Sequence, residues 1–233
     1  MTVTDVADAT TGNLHTVPST YKQLAGYTTG NGIAWTAAQW AAHPTAIRIC
    51  QNPGATDLTA DVLDVESGAA TVADCPGWAK AALANWHVAT RPGQRSPAIY
   101  MSQSNVTAVV NALTAAKVTG IGLFVADWTG SRGDAVATLA SSGGPYPIIG
   151  VQWADAGTYD KDVFLDSWLN ARSSKTPVKP VPVKPAPYSS VPPGQWTDGG
   201  WTWQSVAIAG MGLDGKTHSF KFDPSTGLWQ KVK

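Results

Sequence analysis

The residue types best suited to chemistry are two acids, Asp64 and Glu66, in the stretch Asp61-Val62-Leu63-Asp64-Val65-Glu66-Ser67-Gly68. Acids interleaved with Val and Leu fit a short buried strand better than an exposed helix, because period-2 alternation sends Asp64 and Glu66 to one side and Val65 to the other. At a strand rise of about 3.3 Å per residue their Cα atoms lie roughly 6.6 Å apart. Carboxyl heads on that base can reach the separations at which glycosidic bonds are cut, about 5 to 5.5 Å with retention and about 6.5 to 9.5 Å with inversion. Like charges so close also push one pKa upward, as a general acid at neutral pH requires. The same pair can instead cap a following helix or be neutralised by an arginine, so the surrounding residues must decide.

Two later stretches support the chemical reading. Phe124-Val125-Ala126-Asp127-Trp128 ends an apolar run with an acid and an indole, and Gly150-Val151-Gln152-Trp153-Ala154-Asp155 does the same before Tyr159-Asp160-Lys161-Asp162. Acids and tryptophans around one rim suit a sugar, because a pyranose face stacks on indole while carboxylates bind hydroxyls and move protons. The residues expected to act are therefore Glu66, Asp64, Asp127 and Asp160 in catalysis, with Tyr100, Trp128, Gln152, Trp153 and Asp155 against the substrate. Asp160 and Asp162 can equally cap a final helix, and for Asp162 capping is the expected role. Trp35, Trp40, Trp78 and Trp86 stand at helical positions and read as packing. His15, His43, His87 and His218 have no metal-ligand spacing, and no Ser or Cys sits in a nucleophile motif. Asp64, Glu66 and Asp127 could in principle hold Mg²⁺ or Ca²⁺, but no His pair accompanies them, so neither metal nor cofactor is expected.

The elements that must carry these residues alternate. Short apolar runs at 24–28, 46–51, 62–66, 97–102, 121–128 and 148–153 are separated by Ala-rich segments at 36–43, 76–90, 106–117, 133–141 and 162–172 that suit helices. Strand, helix and strand in repetition argue for an α/β domain with a mostly parallel sheet. A doubly wound nucleotide-binding sheet would need a phosphate loop after its first strand, and residues 26–32 lack both the G-x-G-x-x-G and the G-x-x-x-x-G-K-[ST] spacing. The polar residues collect instead at the C-terminal ends of many strands, as in a barrel whose site is built on one rim. We therefore expect an irregular TIM-like (β/α) barrel over 23–173, preceded by an arm at 1–22, with weak strands beyond the six that can be read.

The totals permit this and exclude other classes. The chain has 233 residues, 43% of them hydrophobic and 14% charged, with a formal net charge of zero. That composition supports a sizeable core and gives no basic excess for nucleic acid or an anionic membrane. No apolar run is long enough to span a bilayer, and the polar N-terminus is unlike a secretory signal. Cys50 and Cys75 are too few for a disulfide framework; they can form one bridge or stay as two buried thiols, and thiols are the expected form.

Seven of the 16 prolines fall in KTPVKPVPVKPAPYSSVPP, so 174–194 should be an extended polyproline spacer. Residues 195–233 then read as a small Trp-rich β-meander, with strands around 201–209, 218–222 and 228–232. Trp196, Trp201, Trp203 and Trp229 are either its core or a face that stacks on sugars or docks on a partner protein.

The series GYTTGNGIAWTAAQW, AIRICQNPG, ADVLDVESG, SPAIYMS, GLFVADW and GVQWADAGTYDKDVF resembles the glycoside-hydrolase-like barrel domains common in actinobacteria and their phages, relatives of the family 25 lysozymes, over about residues 23 to 172. The DVE strand and the V-Q-W followed by Y-D-x-D stand in the family's order. The resemblance implies cleavage of the β-1,4 bond of peptidoglycan, or of another cell-surface glycan, with Glu66 as proton donor, Asp64 shaping the charge beside it and Asp160 completing the rim. It also implies a phage-type protein that stays in the host cytoplasm until lysis or rides on the virion, and that acts at the cell wall. Family 25 lysozymes carry an Asp on the first strand, whereas 25–29 here hold none. Either Asp127 substitutes, or the arm folds back with Asp5 or Asp8, or catalysis is weak or absent. In that last case the barrel serves as a non-catalytic carbohydrate-binding, virion or tail structural domain, and the C-terminal domain contacts other virion proteins.

Overall fold

The computed structural model describes residues 1–30, 32–52, 57–87, 93–128, 130–140 and 145–171 in full, and the backbone of 141, 219–223 and 228–232. In chain order the elements are strand β1 (Val3–Asp8), β2 (Gln23–Tyr27), helix α1 (Ala37–Ala42), β3 (Ile47–Cys50), β4 (Val62–Val65), α2 (Cys75–His87), β5 (Ala98–Ser102), α3 (Val106–Ala115), β6 (Gly122–Ala126), α4 (Arg132–Ser141), β7 (Ile148–Asp155), β8 (Asp160–Leu165) and α5 (Asp166–Asn170). Two further strands follow, β9 (Ser219–Asp223) and β10 (Leu228–Val232).

Strands β1 to β8 form a closed eight-stranded barrel in sequence order, so the protein is mixed α/β. Neighbours from β1 to β7 are parallel, whereas β8 runs antiparallel to both β7 and β1. The expected arm at 1–22 is thus corrected in part: Val3–Asp8 is a barrel strand, hydrogen-bonded on both sides. The helix expected from 162 is corrected too, because 160–165 is strand and the helix begins only at Asp166. Both corrections have one cause. A sheet of six strands would leave two open edges, and β1 and β8 remove them by pairing with each other.

Period-2 alternation sorts the side chains. On the inward face Val6, Ala25, Ile47, Ile49, Val62, Ala98, Phe124 and Phe164 fill the barrel. On the outward face Leu63, Val65, Ile99, Met101, Leu123 and Val125 pack against Trp78 and Ala82 of α2 and Val109 and Leu113 of α3. Val151 and Val163 face α4 through Ala135 and Leu139. At the N-terminus of α1 the Thr36 hydroxyl accepts from Gln39 N–H at 3.2 Å and the Gln39 side chain accepts from Thr36 N–H at 2.8 Å.

Below the barrel interior Trp168 of α5 stacks on Phe164 with ring centroids 5.2 Å apart, and Phe164 meets Phe124 at 4.7 Å. The same end is plugged by Arg95, 1% exposed, which pairs with the fully buried Asp61 at 3.4 Å and donates to the Thr45 carbonyl at 2.7 Å. Asp61 also accepts from the backbone N–H of Arg95 and of Arg48. Every strong group there is satisfied, which is the condition for a buried ion pair to be tolerated. Polar chemistry is therefore left to the opposite rim. Cys50 and Cys75 are free and buried.

The chain divides into two compact units, Met1–Val178 and Lys179–Lys233. In the second, β9 and β10 pair antiparallel with Trp229 opposite Phe222 in register. The Pro-rich stretch, Trp196, Trp201, Trp203 and the first expected strand of the meander lie outside the described residues.

Candidate functional site

Because β8 runs antiparallel, its first residue lies on the same rim as the last residues of β1 to β7. That rim surrounds a cavity of about 110 Å³, lined by Asp8, Tyr27, Ile49, Asp64, Glu66, Tyr100, Phe124, Trp128, Gln152 and Asp160. Four carboxyls and four aromatic rings thus meet at the strand ends.

Each carboxyl is there for a local reason. On β4, Val62 points into the barrel and Leu63 and Val65 away from it, so Asp64 must point inward and Glu66 follows at the rim. On β1 the inward series is Thr4, Val6 and Asp8. Asp8 is paired directly with Asp160 in the antiparallel register of β1 and β8. Like charges directly opposite on a ladder repel, and the site holds this conflict in place by the surrounding pairing.

The hydrogen bonds divide the acids into held and unheld oxygens. Tyr27 donates its hydroxyl to Asp8 Oδ2 at 2.9 Å, and Gln51 Nε2 donates to Asp64 Oδ2 at 2.7 Å. Asp8 Oδ1 is buried without a partner, and Asp64 Oδ1 has none beyond the hydrogen bond between the Asp64 and Glu66 carboxyls. Tyr100 donates to Gln152 Oε1 at 2.5 Å, and the Gln152 side chain hydrogen-bonds Asp160.

Burial dominates the electrostatics. Dehydration, then the charge of Glu66, push Asp64 up to about 8 from an ordinary 3.8, against the donation from Gln51. Asp8 rises to about 7, again through burial first and Asp160 second, with Tyr27 pulling the other way. Asp160 rises to about 6 through burial, Asp155 and Glu66. Glu66 stands at the mouth and is exposed as a residue, yet contact of its carboxyl with the wall raises its pKa, and a hydrogen bond from Asp64 opposes the rise. Asp64 and Glu66 therefore act as a pair that shares a proton at neutral pH, held mainly on the more buried Asp64.

Of the residues expected from sequence, Glu66, Asp64, Asp160, Tyr100, Trp128 and Gln152 come together in this cavity. Asp127, Trp153 and Asp155 do not line it. Asp127 continues the outward parity of Val125 and accepts from the Thr138 hydroxyl of α4 at 3.2 Å. Trp153 likewise turns toward α4, with Lys161 Nζ 5.5 Å from its ring. Asp155 closes the β7–β8 turn by accepting from Gly157 N–H, and reaches the site only through its charge on Asp160. Asp160 and Asp162 are strand residues and cap no helix. Trp229 is described only as backbone.

The first-strand acid is Asp8, one of the two arm residues weighed for that place. Asp5 faces outward and pairs with Arg132 at 2.5 Å. Tyr27, Ile49 and Phe124 were not read as site residues, although their parity within β2, β3 and β6 carries them inward. The signal for Asp8 is the order Asp5-Val6-Ala7-Asp8, which repeats the D-V-x-D of Asp61-Val62-Leu63-Asp64. No group of three His, Cys, Asp or Glu able to hold a metal ion occurs among the described residues, and Asp127 stands apart from Asp64 and Glu66. No protein-family model, curated protein or solved structure matches the chain.

Proposed function

We propose that the barrel is a lysozyme-like glycoside hydrolase of phage type, an irregular TIM-like (β/α) barrel that cuts β-1,4 bonds of peptidoglycan by carboxylate acid/base catalysis. The observation that carries this reading is the meeting of Asp8, Asp64, Glu66 and Asp160 with aromatic walls in one cavity at the strand ends. Glu66 is the acid with access to solvent, so it protonates the departing glycosidic oxygen. The proton it gives is the one the pair shares: Asp64 passes it to Glu66 over the hydrogen bond between them and, thus ionised, stabilises the positive charge that develops on the sugar ring. Asp8 and Asp160 add negative potential on the opposite wall. Trp128, 57% exposed beside the cavity, offers an indole face to a pyranose.

A non-catalytic barrel would draw its support from a missing first-strand acid, and Asp8 on β1 removes that support. In the catalytic reading the protein acts at the bacterial wall, reached at host lysis or from a virion, and residues 195–233 engage the wall or a virion protein. The decisive experiment is release of new reducing ends from actinobacterial peptidoglycan. Glu66→Gln, nearly isosteric but without a transferable proton, is expected to lose about a hundredfold or more in kcat. Wild-type protein that releases nothing above background from several walls would refute the proposal.

A further inference from the structure

Asp162 is a carboxyl of this end of the barrel that the chemistry above leaves unused. It is 0% exposed, and neither of its oxygens has a hydrogen-bond partner. On the inward face of β8 it is paired in register with Val6 of β1 and Gln152 of β7. Val6 offers no donor side chain. Gln152 spends its oxygen on Tyr100 and one amide N–H on Asp160, and its second N–H makes no hydrogen bond to Asp162.

The titratable groups that face this point are the carboxyls of Asp8 on β1 and Asp160 on β8, with the phenols of Tyr21 and Tyr100. None is a cation, and Lys161 lies on the other face of β8, over Trp153. An ionised Asp162 would have neither a donor nor a counter-charge, the costliest state for a buried group. As a neutral acid it is a donor and needs an acceptor. Asp8 lies on its register diagonal, close enough for its charge to act on Asp162, and presents a bare buried Oδ1.

We propose that Asp162 is held as a neutral carboxylic acid whose hydroxyl donates to Asp8 Oδ1, directly or through one water, making Asp162 a positioning residue for the Asp8 carboxyl in the reaction proposed above. With Tyr27 on Oδ2, Asp8 is then gripped by one donor on each oxygen. The direction of titration agrees: burial, then Asp8 and Asp160, hold Asp162 well above the ordinary carboxylate range. A neutral carboxyl kept as a hydrogen-bond donor by apolar surroundings is a known catalytic device.

The proposal rests on the glycosidase reading for its purpose but not for its test. With aspartate carboxyl carbons labelled by ¹³C, and Asp8 assigned through Asp8→Asn, the titration of Asp8 is followed in wild type, Asp162→Asn and Asp162→Val. Loss of the donor in Asp162→Val is expected to raise the Asp8 midpoint by about one pH unit, and Asp162→Asn, which keeps a donor, is expected to restore it. A fall of the Asp8 midpoint in both variants would show that Asp162 is an anion and overturn the proposal. An unchanged midpoint in both would overturn it as well. Should the valine variant fail to fold, wild-type protein decides: the Asp162 carbon must keep its protonated shift through neutral pH, and an ionised shift there would refute the assignment.

Discussion

At Asp8 a carboxyl 4% exposed faces Asp160 directly across the β1–β8 ladder, and that conflict makes the site a liability for the fold. Asp8, Asp64 and Asp160 stand at about 7, 8 and 6 in the folded protein against an ordinary 3.8. Between the two values the folded state binds more protons than the unfolded one, so stability falls as pH rises. The contribution is complete below about pH 4 and is lost as pH passes through about 6 to 8. Urea unfolding of the wild type should therefore give a lower stability at pH 8 than at pH 5. Asp8→Asn is expected to narrow that difference by on the order of 2 kcal/mol while abolishing reducing-end release. A pH slope equal to that of the wild type would mean that Asp8 ionises in the fold without penalty. At this scale Asp64 and Glu66 were legible because both partners lie on one strand. Asp8 remained one alternative among several, because its neighbours come from β2 and β8.

At the scale of elements, β8 was the hardest to read. Asp160-Lys161-Asp162 resembles the capped start of a helix, and Trp168 and Leu169 continue an apolar spacing that suits one. Tertiary pairing overrides that preference, since β8 satisfies its backbone on both sides, through β7 and β1. Its Phe164 also depends on Gly150 opposite, where a Cβ would run into the ring. Gly150→Ala should therefore destabilise the barrel by about 1 to 3 kcal/mol through overpacking. Gly133→Ala in α4, where the nearest atom would be the Ser131 hydroxyl at 3.6 Å, should instead be neutral or stabilising by up to about 1 kcal/mol. Thermal melts of the two variants check the contrast, and equal effects would mean that the close approach of Gly150 and Phe164 does not constrain the barrel.

For the whole molecule, closure is the property on which the rest depends. β1 begins at the third residue, yet it joins β2 to β8, so removal of residues 1–9 opens the barrel along two ladders. That truncation is expected to abolish cooperative unfolding. A chain ending at Val178, by contrast, keeps the first compact unit intact and should unfold with the wild-type urea midpoint. If the short chain lost its cooperative transition, the first unit would not be an independent fold.

The sequence by itself determined what is local. Alternation over four to six residues decided which side chains of β4, β5 and β6 share a face, because that pattern needs no partner elsewhere in the chain. The α/β character and the collection of polar groups at one set of strand ends followed from repetition of such units. Only the tertiary structure decided that the sheet closes without an edge, and so that residues 3–8 and 160–165 are strands at all. The same closure brought Asp8 opposite Asp160. The physical reason is that a strand's backbone hydrogen bonds and the dehydration of its acids are supplied by residues distant in sequence. Chain order alone does not contain their distances.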